Sequence, residues 1–133
     1  MQTFSTRKYH WMLSILIIAL LFVTGCNASS NSTNLFEQAM SNGKPTIAEF
    51  GRGTCIPCKE MKPILEELAI EYKDKVNVVT VSVDDFRDLT AQYRIMAIPT
   101  QIFLDSSGKE ITRHIGFLPK EDIVAQLKGM GID

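Results

Sequence analysis

The chain has 133 residues, of which 45% are hydrophobic and 22% are charged, and its formal net charge at pH 7 is −1. This length allows one domain with an additional segment. The composition and charge exclude a largely disordered chain and a polybasic nucleic-acid-binding protein, so we expect no nucleic acid partner.

The first 25 residues have the pattern of a secretory signal peptide. Arg7 and Lys8 form a basic start, and an apolar run follows over residues 11–23. This run is short for a membrane span, and its position after a basic segment is typical of an export signal. The segment ends in Val-Thr-Gly-Cys, which resembles the bacterial lipobox. That resemblance implies cleavage before Cys26 and lipidation of Cys26, whereas the alternative is an uncleaved anchor helix in which this cysteine is incidental.

Both alternatives predict an exported and tethered domain. Without residues 1–25, the chain has 12 Lys and Arg against 15 Asp and Glu, a net charge of −3. Acyl chains rather than charge would therefore hold it on an anionic membrane. Residues 26–34 comprise the lipidated Cys26 and a polar stretch that we predict to be a flexible linker. The predicted location is the extracytoplasmic side of the cell membrane, in the periplasm or at the cell surface.

Residues 35–133 are predicted to form one α/β domain. The patterns predict, in chain order, a helix from Leu35 to Asn42-Gly43, a strand over 46–50, a helix over 58–72, a strand over 76–83, a short helix from Asp84 to Tyr93, a hairpin of strands 100–104 and 110–115, and a final helix starting near Pro119. A strand–helix–strand unit followed by a hairpin predicts a mixed sheet with helices on both faces. The β-branched run over 76–83 favours a central parallel strand, and Pro63 predicts a kink in its helix.

Cys55 and Cys58 remain when Cys26 is set aside, and three kinds of site fit them. A zinc site needs two more ligands, and the mature chain offers only His114 among histidines. A purely structural disulfide that closes so small a loop contributes little to stability. A redox couple is favoured, because Cys55 precedes a predicted helix whose N–H groups and dipole stabilise a thiolate. Cys58 is then placed to attack a mixed disulfide formed at Cys55, and this chemistry needs no cofactor.

Several motifs in order resemble the thioredoxin family over about residues 35–127. They are Cys55-Ile56-Pro57-Cys58-Lys59, Pro63 five residues after the second cysteine, Ile98-Pro99-Thr100 before the hairpin, the turn over 105–109, and Gly116. The resemblance implies a thioredoxin-like fold with a mixed four-stranded sheet. The first strand of the family's fold is expected to be missing, because the polar linker occupies its place.

The resemblance also implies roles for residues around the cysteine pair. Pro99 is expected to follow a cis peptide bond beside the pair, and the backbone of Ile98 to bind the chain of a substrate. Ile56 and Pro57 are expected to complete this substrate-binding surface.

Glu49 is an acidic residue inside a strand that is otherwise apolar, and burial there should raise its pKa. Thioredoxin has an aspartate at the matching position and protein disulfide isomerase a glutamate. By this resemblance Glu49 relays a proton to and from Cys58. The family usually has tryptophans at the positions of Gly51 and Thr54 and a lysine at that of Thr80. Their absence implies a flatter rim around Cys55 and a Glu49 without its usual counter-charge.

These features together predict an exported, lipid-anchored thiol–disulfide oxidoreductase. Ile56 adds no charge between the cysteines and Pro57 lacks an N–H group, so the Cys55 thiolate is less stabilised and the dithiol is a better reductant. We therefore expect reduction of disulfides in exported proteins, with electrons from a membrane-embedded thiol donor. A disulfide isomerase or oxidase of the same fold is one alternative. A carrier of Cu(I), which soft thiolates bind, is an alternative of a different class.

Overall fold

The computed structural model describes residues 31–133. The elements are α1 (Asn31–Ser41), β1 (Thr46–Gly51), α2 (Ile56–Glu71), β2 (Asn77–Ser82), α3 (Arg87–Gln92), β3 (Thr100–Leu104), β4 (Glu110–Ile115) and α4 (Lys120–Gly129). The predicted signal peptide and the predicted lipidation of Cys26 lie outside the described residues. Within the described part of the chain, every helix is too short or too polar to cross a membrane.

The four strands form one mixed sheet in the order β2-β1-β3-β4. The strands β1 and β2 are parallel, and α2 connects them, whereas β3 pairs antiparallel with both β1 and β4. Asp105 stabilises the turn of the β3–β4 hairpin, since its Oδ1 accepts hydrogen bonds from the N–H groups of Ser107 and Lys109. Gly108 supplies the positive φ of this turn, +82°. The predicted α/β architecture is confirmed.

Alternation along β1 divides the apolar core into two clusters, one on each face of the sheet. Ile47 faces α2 and α4, and Phe50 faces α1 and α3. The first cluster includes Ile47, Met61, Leu65, Leu68, Phe103, Ile123 and Leu127. The second includes Phe36, Ala48, Phe50, Val81, Phe86, Leu89, Ile102 and Leu104. Helices therefore cover both faces, as predicted.

The boundaries of two helices differ from the predictions. The helix α1 begins at Asn31, so residues 31–34 of the predicted flexible linker are helical. The first residues of α1 are polar and have low helix propensity, so the sequence pattern did not predict a helix there. The helix α3 begins at Arg87 rather than Asp84, because Asp84 and Asp85 form a turn before the buried Phe86.

The predicted central position of β2 is wrong. In the described part of the chain β2 pairs only with β1 and lies at the edge of the sheet. Its side chains are mostly half-buried, and Thr80 is exposed. The β-branched run over 76–83 predicted a strand, but it could not show whether a second strand would pair with the other edge of β2. The expected absence of the family's first strand fits this open edge.

Pro63 lies inside the uninterrupted α2, and the kink there stays a prediction.

Candidate active site

Cys55 and Cys58 form a disulfide at the start of α2, with their Cα atoms 5.3 Å apart. Cys55 is the N-cap residue, and its Sγ accepts a 3.3 Å hydrogen bond from the backbone N–H of Cys58. The first turn of the helix therefore directs a donor at this sulfur. Cys55 is half-buried, whereas Cys58 is only 8% exposed. A sulfur atom of another protein can reach Cys55 more easily than Cys58.

The loop before Cys55 is connected to the neighbouring strand end. The N–H of Cys55 donates to the carbonyl of Arg52 at 3.1 Å. The Arg52 guanidinium forms a 2.8 Å ion pair with Asp84, which follows β2. Because both side chains are about half exposed, this ion pair adds little to the stability of the fold. Its main effect is to orient the loop relative to the end of β2.

Pro99 lies at the end of the sheet from which the cysteine loop departs. The Ile98–Pro99 peptide bond is cis, as the resemblance implies. Phe50 is the partner of Thr100 in the β1–β3 register, so one further step places Pro99 opposite Gly51. The carbonyl of Pro99 accepts a 2.8 Å hydrogen bond from the N–H of Gly116. The sheet thus brings the predicted substrate-binding proline and the cysteine loop to the same end.

Glu49 is buried in β1, with 2% of its surface exposed. Desolvation in this position raises its pKa from 4.5 to about 7. Within the described residues its Oε1 is buried without a hydrogen-bond partner, and the same is true of Oε1 of Gln101, the neighbour of Glu49 on β3. Thr80 is the neighbour on β2. Neither neighbour supplies a positive charge, so the uncharged acid is favoured.

A cleft of about 370 Å³ connects the buried acid with the second cysteine and with the open edge of the sheet. Its lining includes Glu49, Gly51, Cys58, Lys62, Thr80 and Phe86. Glu49 and Cys58 therefore share one cavity that also reaches the protein surface. A carboxyl group there can exchange a proton with water and with the Cys58 sulfur.

Two features of the site were missed from the sequence. The first is Met96, which is 90% exposed and lies two residues before Ile98. The available signal for Met96 was a large apolar residue two positions before the Ile98-Pro99 pair. The second feature is the proximity of Gly51 to the Glu49 carboxyl group, for which the alternation of side chains along a strand was the only signal.

His114 lies on β4, two strands away from β1. Its Nε2 is 3.2 Å from the carbonyl oxygen of Phe117. Across the described part of the chain, no group of three or more His, Cys, Asp or Glu side chains is arranged to hold a metal ion.

Comparisons with known proteins agree with this geometry. A family model described as Thioredoxin matches residues 27–129. Thioredoxin of Alicyclobacillus acidocaldarius is 42% identical over 92 residues, which are 69% of this chain and 87% of that protein. A thioredoxin of Staphylococcus aureus is 34% identical over 92 residues, 69% of this chain and 86% of its own. The chloroplastic thioredoxin-like protein HCF164 of Arabidopsis thaliana is 35% identical over 97 residues, 71% of this chain but only 37% of its own length. With its Cys-x-x-Cys pair, the chain belongs to the thioredoxin family and is a thiol–disulfide oxidoreductase.

Proposed function

We propose that this protein is a lipid-anchored reductase of disulfide bonds in exported proteins. The observation that carries the proposal is the Cys55–Cys58 disulfide at the N-terminus of α2. Its first sulfur is accessible, and its second belongs to a buried residue that lines the same cleft as Glu49, whose pKa is raised. Thioredoxin-like proteins act on protein substrates that contain disulfides, so the proposed substrates belong to that class.

The proposed reaction begins with the reduced pair. The Cys55 thiolate attacks one sulfur of a substrate disulfide, which forms a mixed disulfide and releases the first substrate thiolate. The Cys58 thiolate then attacks Sγ of Cys55, which releases the second substrate thiolate and leaves the Cys55–Cys58 disulfide. The substrate gains two electrons and the pair loses two, so a dithiol donor must reduce the pair before the next cycle.

Glu49 serves the second step as a proton acceptor. Its pKa of about 7 leaves comparable amounts of carboxylate and carboxylic acid at neutral pH. The carboxylate accepts the Cys58 proton when this thiol attacks, and the acid returns the proton when the pair is reduced again. The cleft is open to solvent, so a water molecule there could pass the proton between the two groups.

The proposed substrate-binding surface comprises Ile56 and Pro57 beside the disulfide and Ile98 before the cis proline. The N–H and C=O groups of Ile98 find no hydrogen-bond partner within residues 35–133. They are available to an extended substrate chain, in the way that an added strand pairs with a sheet edge. The exposed side chains of Ile56 and Met96 offer apolar contacts to the same chain.

The direction of electron flow follows from the residues between the cysteines. The N–H of Cys58 is the donor observed at Cys55 Sγ. Pro57 lies in the first turn, where it removes one further N–H, and Ile56 adds no cation. The Cys55 thiolate is therefore only moderately stabilised, which favours a reducing couple over a strongly oxidising one.

The proposed location depends on residues 1–26, whose pattern resembles a lipoprotein signal. Export would place the pair where protein disulfides persist. A membrane anchor would place it near a membrane-embedded thiol donor, which is the proposed source of electrons.

Trapping of mixed disulfides tests this function. A Cys58→Ala variant keeps the attacking cysteine but lacks the resolving one, so exported proteins should remain covalently attached to Cys55. Mass spectrometry after a non-reducing purification identifies them, and Cys55→Ala is the matched control that should trap none. Equal trapping by both variants, or by neither, contradicts the proposal.

A further inference from the structure

Gly51 and Glu49 lie two positions apart on β1 and therefore on the same face of the sheet, the face that α2 covers. A Cβ atom at Gly51 would overlap Oε1 of Glu49 and would lie 3.1 Å from its Cδ and Oε2. These three atoms are the nearest to that position outside the adjoining residues. The space in which a side chain would begin is thus filled by the Glu49 carboxyl group.

Nothing else in the described structure requires glycine at this position. Gly51 does not have a positive φ, unlike Gly43, Gly108, Gly116 and Gly131, so its backbone conformation is open to other residues. Glycine within a strand usually weakens it, and often marks the close approach of another group. Here the approaching group is a buried acid.

Few other interactions hold the Glu49 carboxyl group in this position. Its Oε1 is buried without a hydrogen-bond partner in residues 35–133. The neighbouring cleft leaves room for the carboxyl group to move away from β1.

We propose that Gly51 is a positioning residue, whose missing side chain leaves the space for the Glu49 carboxyl group in the cleft that Cys58 also lines. A methyl group at position 51 would push this flexible side chain into the cleft while the backbone stays in place. The inference rests on the proposed role of Glu49 in proton transfer, but the position of the carboxyl group can be measured without any activity.

The first test follows the Glu49 carboxyl carbon by NMR in the oxidised protein as the pH is changed. The wild-type midpoint is expected near pH 7, in line with the raised pKa of Glu49. In Gly51→Ala the carboxyl group becomes hydrated in the cleft, so the midpoint should fall by about one pH unit or more. Gly53→Ala is the matched control, because a Cβ atom there meets nothing within 4 Å, and its midpoint should equal that of the wild type. An unchanged midpoint in a folded Gly51→Ala protein overturns the inference.

The second test measures the rate of insulin disulfide reduction by dithiothreitol in the presence of the protein. Gly51→Ala should lower this rate several-fold at pH 7. The same substitution in a Glu49→Gln background should cause no further loss, since the relay is already absent. Glu49→Asp combined with Gly51→Ala should recover part of the rate, because the shorter acid leaves room for the methyl group. An equal loss in both backgrounds would show a general structural effect and contradict the inference.

The two tests separate the inference from the proposed function. A wild-type protein that does not accelerate insulin reduction would contradict the reductase assignment. The NMR midpoint would still decide whether Gly51 positions the acid.

Discussion

Glu49 and Thr80 are directly paired residues of the parallel strands β1 and β2, so their side chains point to the same face of the sheet. Glu49 is buried, while Thr80 lies on the edge strand and is exposed at the cleft. The neighbour of the buried acid on this side is thus uncharged and open to solvent. The relationship fits the cause of the raised Glu49 pKa, which is desolvation by burial.

A lysine at position 80 should counteract the raised pKa of Glu49. We expect Thr80→Lys to lower the Glu49 pKa by about one unit or more, because a nearby positive charge favours the carboxylate. The midpoint of the pH–rate profile for insulin reduction should move down with it. Thr80→Met is the control for side-chain size without charge, and equal midpoints in the two variants would contradict the electrostatic explanation.

The raised pKa of Glu49 also predicts how stability depends on pH. The folded protein retains the Glu49 proton up to about pH 7, while the unfolded chain releases it near pH 4.5. The contribution of this group to stability is therefore complete below pH 4.5, declines as the pH rises from 4.5 to about 7, and is lost above that. The shift of about 2.5 units corresponds to about 3 kcal/mol.

Denaturant unfolding at pH 5 and pH 9 checks this prediction. Glu49→Gln cannot titrate, so its free energy of unfolding should lack this decline. The difference in the free energy of unfolding between the variant and the wild type should therefore change by up to about 3 kcal/mol between pH 5 and pH 9. The exposed Glu60 provides the control substitution Glu60→Gln, which should follow the wild type. Parallel curves for Glu49→Gln and wild type would contradict the burial of an uncharged acid.

Lipid attachment is predicted at Cys26. Cys26→Ser should abolish acylation and release or misprocess the protein, because serine cannot form the thioether to the lipid. Intact mass and membrane fractionation measure both effects, with Cys55→Ser as the control that should keep the lipid. An unchanged mass and an unchanged membrane fraction in Cys26→Ser would rule out the lipoprotein assignment.

The dipeptide between the cysteines should set the redox potential. Pro57→His restores an N–H group in the first turn of α2 and adds a cation, so it should stabilise the Cys55 thiolate and raise the potential. Each tenfold shift toward the reduced form corresponds to about 30 mV. Pro57→Ala restores the N–H group without the cation and should raise the potential less. A potential that is equal or lower in Pro57→His would contradict this explanation.

Short motifs made the cysteine pair and the proline predictable from the sequence. Cys55 and Cys58 stand between a strand pattern and a helix pattern, and the structure places them at that junction. The cis bond before Pro99 was predictable through the family resemblance alone. Glu49 was noticeable because a charged residue interrupts an apolar strand, and the structure buries it.

Other features depend on relationships that local patterns do not contain. The composition of β2 is the same whether one or two strands pair with it, so its edge position could not be predicted. Alternation places Gly51 and Glu49 on one face, but it does not show how far the acid bends toward the glycine. The first residues of α1 are polar and have low helix propensity, so no local pattern predicted that the helix starts at Asn31.

The redox potential of the Cys55–Cys58 pair tests the central claim most directly. The protein is equilibrated with glutathione or dithiothreitol buffers, and the reduced fraction is measured by alkylation and mass shift. A reductase of this type should have a potential close to that of thioredoxin, about −270 mV. A value above about −180 mV, the range of protein disulfide isomerase, would contradict the reductase assignment and indicate an isomerase or oxidase.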